Sequence, residues 1–150
     1  MKRKLAITLL SVVVIITMLT AGSLQREASK HSKDDSSPQG TWKLELFKYS
    51  NRTSDFNNRP ASQPRIKLIT DTHFTWVTID TATGRIWEAA GGTYSLKGDT
   101  YIESMDYSYN MDSYLGTKSV YTIKVEENIL FLSGELSRYG KIEEIWQRVK

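Results

Sequence analysis

Cysteine is absent from the chain, and histidine occurs only at positions 31 and 73. The first absence excludes disulfide bonds, thiolate nucleophiles and cysteine-ligated zinc or iron–sulfur centres. Two histidines are also too few for a multi-histidine metal site. The sequence therefore predicts neither a metal nor a cofactor.

Basic runs are missing once the first four residues are passed. The formal charge of +3 at pH 7 comes from Lys2, Arg3 and Lys4, and the remainder of the chain is balanced. A balanced body lacks the positive surface with which proteins bind phosphate backbones. We therefore expect no nucleic-acid partner.

A long apolar run occurs only at the N-terminus, where residues 5–19 carry no charge. The run follows Lys-Arg-Lys and precedes the small residues 20–23. This order predicts a secretory signal peptide over residues 1–23, and hence a secreted, periplasmic or cell-envelope location. The alternative is an uncleaved membrane anchor, because the run approaches the ~20 residues that span a bilayer. In that case the N-terminal segment would be the contact with the membrane.

The composition changes twice after residue 23. Residues 24–39 are rich in serine and charge, which predicts a disordered polar linker because the segment buries too little apolar surface to become ordered. Residues 40–150 consist of short runs rich in Thr, Tyr, Val, Ile and Trp, separated by Gly, Asn or Asp. Such runs are typical of antiparallel strands joined by hairpins. We predict one all-β domain over residues 40–150.

The predicted strands number about nine, and short turns join nearly all of them. Such a sheet either leaves two exposed edges or closes on itself, and closure removes the edges. We therefore predict a single antiparallel up-and-down barrel of about 8–10 strands. In this interpretation Gly91-Gly92 is a reversal between two short strands, and residues 50–64 form a long irregular loop.

Two positions carry a resemblance to a known family. Gly40-Thr41-Trp42 opens the first predicted strand, and Arg148 ends the last one, two residues after Trp146. This pairing resembles the lipocalin-like (calycin) barrels, and residues 40–150 look like secreted bacterial lipocalin-like domains without an assigned activity. The resemblance implies that Trp42 plugs the closed end of the barrel beneath the Arg148 guanidinium. It also implies that residues 50–64 cover the open end.

Alternation along the strands, counted from Trp42 and Arg148, predicts which side chains face the interior. The set is mostly apolar or aromatic, and it includes two carboxylates. Its members are Leu44, Leu46, Ile66, Leu68, Tyr94, Leu96, Tyr101, Glu103, Met105, Tyr107, Tyr121, Ile123, Phe131, Ile142, Glu144 and Trp146. As the lining of a ligand cavity we predict Trp76, Tyr94, Tyr101, Glu103, Met105, Tyr107, Tyr121, Phe131 and Glu144.

Glu103 and Glu144 are the informative members, because an inward carboxylate is costly unless it is paired or protonated. Either they bind a ligand or act as an acid/base pair, or they are satisfied by Arg148 or a tyrosine hydroxyl. His73 has no Ser-His-Asp pattern around it, so a structural role in a hairpin is the favoured interpretation. We assign no catalytic residue, and enzymatic activity stays an open alternative.

Two functions are consistent with this pattern. The first is an exported lipocalin-like protein that binds a small, largely hydrophobic ligand in the barrel cavity. The second is a packed barrel that acts through its surface as an envelope-associated interaction domain. A cavity of a few hundred Å³, on the order of ordinary ligand pockets, would favour the first, and a filled interior the second.

Overall fold

The computed structural model describes residues 36–136 and 140–150. Within these ranges the chain forms nine strands and a short 3₁₀ helix, Asp112–Tyr114. The strands are β1 (Gly40–Tyr49), β2 (Asn57–Asn58), β3 (Arg65–Ile69), β4 (His73–Asp80), β5 (Arg85–Lys97), β6 (Thr100–Tyr109), β7 (Lys118–Glu126), β8 (Ile129–Leu136) and β9 (Gly140–Arg148). The predicted signal peptide and linker residues 24–35 lie outside the described residues.

Eight of the strands close into an antiparallel barrel. Strands β3 to β8 each pair with the next one along the chain, β1 pairs with β3, and the pairing of β1 with β9 closes the sheet. The two-residue strand β2 pairs with β1 and lies outside this ring of eight. The predicted all-β antiparallel barrel is confirmed. In the part of the chain described, no helix has the length and apolarity needed to cross a bilayer.

Large side chains fill one end of the barrel, which we call the closed end. Trp42 is fully buried, and the guanidinium carbon of Arg148 lies 4.1 Å from the centroid of its ring. The Trp42 indole N–H donates to the carbonyl of Pro38 (2.7 Å), and Arg148 donates to the carbonyls of Gln39 (2.8 Å) and Ser37 (2.9 Å). The ordered contacts of the barrel therefore begin a few residues before the predicted domain boundary at Gly40.

The predicted reversal at Gly91-Gly92 is wrong, because both glycines lie inside the continuous strand β5. Gly91 pairs with Tyr107 and Gly92 with Met105, so Asp106 is an extra residue in β6 and forms a β-bulge. A Cβ on Gly92 would lie 2.0 Å from the carbonyl oxygen of Ser104. Glycine is required here by the close approach of two backbones and not by a turn.

Bulges also change which side chains face the interior. Beyond the Asp106 bulge, Tyr107 points outward and is 51% exposed, although we predicted it inside. In β1, Glu45 is the extra residue opposite β9. Leu46 beyond it therefore lies on the outer face beside Ile145, and Phe47 packs against the core instead. The predicted inward positions of Tyr107 and Leu46 are wrong for the same reason.

Three further residues predicted in the interior lie on the outer face. In β3 the buried side chains are Lys67 and Ile69, which places Ile66 and Leu68 on the outer face. In β8 the buried side chains are Leu130 and Leu132, so Phe131 faces outward. In both strands apolar residues lie on both faces, and alternation alone does not choose between them. Leu96 pairs with the buried Tyr101 and so lies on the predicted inner face, but it is 41% exposed because it lies beside the β5–β6 turn.

Candidate functional site

A cavity of about 50 Å³ lies inside the barrel, toward the end where β1 finishes and β3 begins, which we call the open end. Five of the nine predicted lining residues border it: Trp76, Glu103, Met105, Tyr121 and Glu144. The alternation did not predict Tyr49, Arg65, Lys67, Met111, Tyr114, Ser119 and Leu136, which also border it. The volume holds a few water molecules and is well below the roughly 300 Å³ of a small ligand pocket. The barrel interior is therefore largely filled.

The interior contains a buried ion pair. Lys67 Nζ lies 2.7 Å from Glu103 Oε1, and the two side chains are 3% and 2% exposed. Lys67 Nζ also lies 5.2 Å from the Trp146 ring centroid and 5.7 Å from that of Phe74, within the range of cation–π attraction. Glu103 is thus compensated by Lys67, a partner that alternation did not predict because it placed Ile66 and Leu68 on the inner face of β3.

Glu144 is held by two donors. The Trp146 indole N–H donates to Oε2 (3.1 Å), and the Tyr49 hydroxyl donates to Oε1 (3.4 Å). Burial raises the pKa of Tyr49, and the charge of Glu144 raises it further, while Arg65 and Arg59 partly oppose these effects. Both interior carboxylates therefore have partners within the barrel.

The four remaining predicted lining residues do not border the cavity. Tyr94 and Tyr101 lie nearer the closed end, with their ring centroids 5.0 Å apart, and the Tyr94 hydroxyl donates to the carbonyl of Thr70 (2.8 Å). Burial, together with the nearby charge of Glu103, raises the pKa of Tyr101. Tyr107 and Phe131 lie on the outer face, as described above. Exposed His73 contacts the hydroxyl of Thr72 (2.7 Å) within the β3–β4 hairpin.

A second pocket, of about 260 Å³, adjoins the cavity at the open end. The two share Tyr49, Arg65 and Met111. The second pocket, which we call the open-end pocket, is also lined by Phe47, Arg52, Arg59, Gln63, Trp87 and Glu88. Arg52, Arg59 and Gln63 come from the long loop between β1 and β3. The resemblance to lipocalin-like barrels implies that this loop covers the open end, but the sequence does not indicate which of its side chains line a pocket, because an irregular segment has no periodicity to orient them.

Two arginines of this pocket meet at one hydroxyl. Arg65 Nε donates to Thr78 Oγ1 (2.9 Å), and Arg59 Nη2 donates to the same atom (3.3 Å). Arg65, Thr78 and Glu88 are cross-strand partners in β3, β4 and β5, so their side chains share the inner face. Arg65 forms an ion pair with Glu88 and lies 4.3 Å above the Trp76 ring. The guanidinium of Arg65 is therefore held by a carboxylate, a hydroxyl and an aromatic face.

A bulge brings Trp87 to the pocket. Thr78 pairs with Glu88 and Ile79 with Ile86, which leaves Trp87 as the extra residue of β5. The Asn110 side-chain amide donates to the Trp87 carbonyl (2.7 Å), which satisfies one backbone group of the bulge. Bulges commonly re-aim side chains beside binding sites. The Trp87 side chain is 54% exposed, so it offers an accessible aromatic surface.

These features define a closed eight-stranded antiparallel β-barrel with a charged, largely filled interior and an arginine-containing pocket at one end. The sequence model of the family described as "Domain of unknown function (DUF4488)" matches residues 37–150, and the chain belongs to this family. The match begins at the residues whose carbonyls contact Trp42 and Arg148. No curated protein matches the chain.

Proposed function

We propose that the chain is an exported, lipocalin-like binding module whose ligand is a small molecule with an apolar body, held in the open-end pocket. The observation that carries the proposal is that this pocket adjoins the interior cavity, since Tyr49, Arg65 and Met111 line both. Export is supported by the pattern of residues 1–23. The lipocalin-like assignment is supported by the Gly40-Thr41-Trp42 opening and the Arg148 contact.

The pocket suits such a ligand better than the cavity does. The cavity, at about 50 Å³, accommodates water, whereas the open-end pocket, at about 260 Å³, approaches the size of ordinary small-molecule sites. Phe47, Tyr49 and Trp87 supply aromatic surface, and aromatic rings bury a large area with few rotatable bonds. The largely hydrophobic ligand expected from the sequence would therefore sit at the mouth of the barrel, with at most one group reaching inward.

The neutral fluorescent probe N-phenyl-1-naphthylamine tests this placement. Its titration into the purified protein should show saturable fluorescence with one site per chain. Trp87→Ala should weaken binding by roughly tenfold, because it removes an accessible aromatic surface of the pocket. Leu96→Ala is the matched control, since Leu96 is an exposed side chain on the same strand near the opposite end of the barrel. Equal effects of the two variants, or no saturable binding, would overturn the proposal.

A second function, the surface role in the cell envelope, is favoured by the largely filled interior and by the outer face of strands β3 to β6. Two cross-strand rows run over these four strands, Ile66–Val77–Ala89–Tyr109 and Leu68–Thr75–Gly91–Tyr107. None of these eight residues is charged, and Leu68, Tyr107 and Tyr109 are each more than 40% exposed. Exposed apolar patches of this kind are common at protein interfaces. An accessory role in the cell envelope would use this face.

Native mass spectrometry of the protein purified from its own host separates the two functions. A retained small-molecule mass that is lost in Trp87→Ala supports ligand binding. A retained protein mass that is lost in Tyr107→Ser/Tyr109→Ser, with Trp87→Ala unchanged, supports the surface role instead.

A further inference from the structure

The open-end pocket carries more positive than negative charge. Three arginines line it, Arg52, Arg59 and Arg65, against one carboxylate, Glu88. The adjoining cavity adds Lys67, Glu103 and Glu144, of which Lys67 and Glu103 neutralise each other. Taken together the two spaces hold four cations and three carboxylates. The positive excess lies on the solvent side, where a ligand would enter.

Arg59 lacks the direct ion pair that Arg65 has. Arg65 already has Glu88 as its ion-pair partner, whereas Arg59 donates only to neutral oxygens, the Gln63 carbonyl (2.7 Å) and Thr78 Oγ1 (3.3 Å). It forms no ion pair with any residue in the described ranges. Burial lowers the pKa of Arg59, and the positive charge of Arg65 lowers it further, while Glu88 and Glu144 act in the opposite direction. The hydroxyl that Arg59 and Arg65 share also donates to Glu88 Oε1 (3.3 Å), so a single carboxylate faces two guanidinium groups here and offsets only part of their mutual repulsion.

The backbone holds Arg59 in this position before any ligand binds. The Arg59 N–H donates to the carbonyl of Glu45, the bulge residue of β1 (2.8 Å). The loop is fixed on both sides of this point, because β2 pairs with β1 and the Gln63 N–H donates to the Pro60 carbonyl (2.9 Å). A cation positioned in advance loses little conformational entropy when it binds, which increases affinity.

We infer that the open-end pocket recognises a small organic anion, with the anionic group between Arg59 and Arg65 and a planar apolar body against Trp87. This inference rests on the proposed function and names the chemical class of its ligand. A guanidinium binds a carboxylate through two parallel hydrogen bonds, so a carboxylate fits the fork geometry of Arg59. The pocket volume of about 260 Å³ suits a body of one or two aromatic rings.

Two probes of equal shape test the inference, 2-naphthoate and its neutral counterpart 2-naphthamide. Calorimetric titration of the full chain should give an affinity for naphthoate at least about tenfold higher than for naphthamide, since charge-assisted hydrogen bonds are roughly twice as strong as neutral ones. The preference should shrink as sodium chloride is raised. Arg59→Met should remove most of the preference, because it should weaken naphthoate binding much more than naphthamide binding. Arg85→Met, which removes an exposed arginine at the start of β5, should change neither affinity.

The outcomes separate this inference from the proposed function. If both probes bind equally and Trp87→Ala weakens both, the pocket binds ligands without selecting anions, and only the inference falls. If neither probe binds at millimolar concentration, the inference and the proposed function fall together. If Arg59→Met does not fold, the comparison of the two probes on the unaltered protein still shows whether the pocket selects anions. Arg59→Lys then provides a variant that keeps the positive charge but lacks the forked guanidinium.

Discussion

At the scale of single residues, the Lys67–Glu103 pair is the interaction whose loss should cost most. Both side chains are almost fully buried. Lys67→Met would leave the carboxylate of Glu103 buried without a cation, and an uncompensated buried charge costs about 3–5 kcal/mol. We therefore expect urea denaturation to show a fall of this order in the free energy of unfolding.

Two controls identify the cause of that fall. The double variant Lys67→Met/Glu103→Met removes both charges and should recover most of the lost stability, because well-packed apolar side chains can replace a buried pair. Lys124→Met removes one partner of the exposed pair with Glu126 and should cost less than about 1 kcal/mol. A double variant no more stable than Lys67→Met would contradict the explanation by unpaired charge.

The buried tyrosines predict how stability depends on alkaline pH. Burial is the main cause that raises the pKa of Tyr49, Tyr101 and Tyr121, and nearby carboxylates raise it further. In the unfolded chain these tyrosines lose their protons near pH 10. Their contribution to stability is therefore fully present below about pH 10 and is lost as the pH rises toward the folded-state pKa values.

Ultraviolet titration of tyrosinate measures this effect directly. At about pH 11 the folded protein should keep at least these three tyrosines protonated, and in concentrated denaturant all eight tyrosines of the chain should ionise. The free energy of unfolding should fall between about pH 10 and pH 11. Ionisation of all eight tyrosines in a protein that is still folded would show that the three hydroxyls are accessible to solvent.

At the scale of the elements, the β5–β6 bulge should tolerate no side chain at Gly92. Gly92→Ala places a Cβ against the Ser104 carbonyl and should lower the free energy of unfolding by about 1–3 kcal/mol or more, as overpacking does. Gly98→Ala is the comparison, since its Cβ meets open space and the cost, about 1 kcal/mol, comes from a φ of +61°. Denaturation curves in which Gly98→Ala is the more damaging change would contradict the close-approach argument.

Bulges also explain why alternation predicted the wrong face of the sheet for some side chains. Alternation placed Leu44, Tyr101, Glu103 and Met105 correctly, and it failed at the residues just beyond Glu45 and Asp106. A bulge inserts one residue and reverses every later side chain of its strand, yet it has no reliable sequence signal. In β3 both faces carry apolar residues, and Lys67 faces inward because the barrel brings Glu103 to it.

At the scale of the whole molecule, the closed end should be a major source of stability. Trp42→Ala removes a fully buried indole, and we expect a loss of about 3–5 kcal/mol. Arg148→Ala removes the cation above that ring and two hydrogen bonds to carbonyls, with an expected loss of about 1–3 kcal/mol. Scanning calorimetry should therefore show the highest unfolding temperature for the parent protein, a lower one for Arg148→Ala and the lowest for Trp42→Ala. The control variant Arg85→Ala, at an exposed site, should unfold at the same temperature as the parent. Unchanged unfolding temperatures in both Trp42→Ala and Arg148→Ala would contradict the stabilising role of the closed end.

The sequence by itself determined the fold class and an interior that includes Glu103 and Glu144, and the resemblance to lipocalin-like barrels pointed to the contact between Trp42 and Arg148. Strand-forming runs, turn residues and the two ends of the domain are local signals, and local signals survive in a single sequence. Only the tertiary structure decided that the interior is nearly filled, that Lys67 pairs with Glu103, and that Arg59 and Arg65 converge on Thr78. Those facts depend on strand register, on three bulges and on the path of an irregular loop, and each of these is set by contacts between residues far apart in the chain.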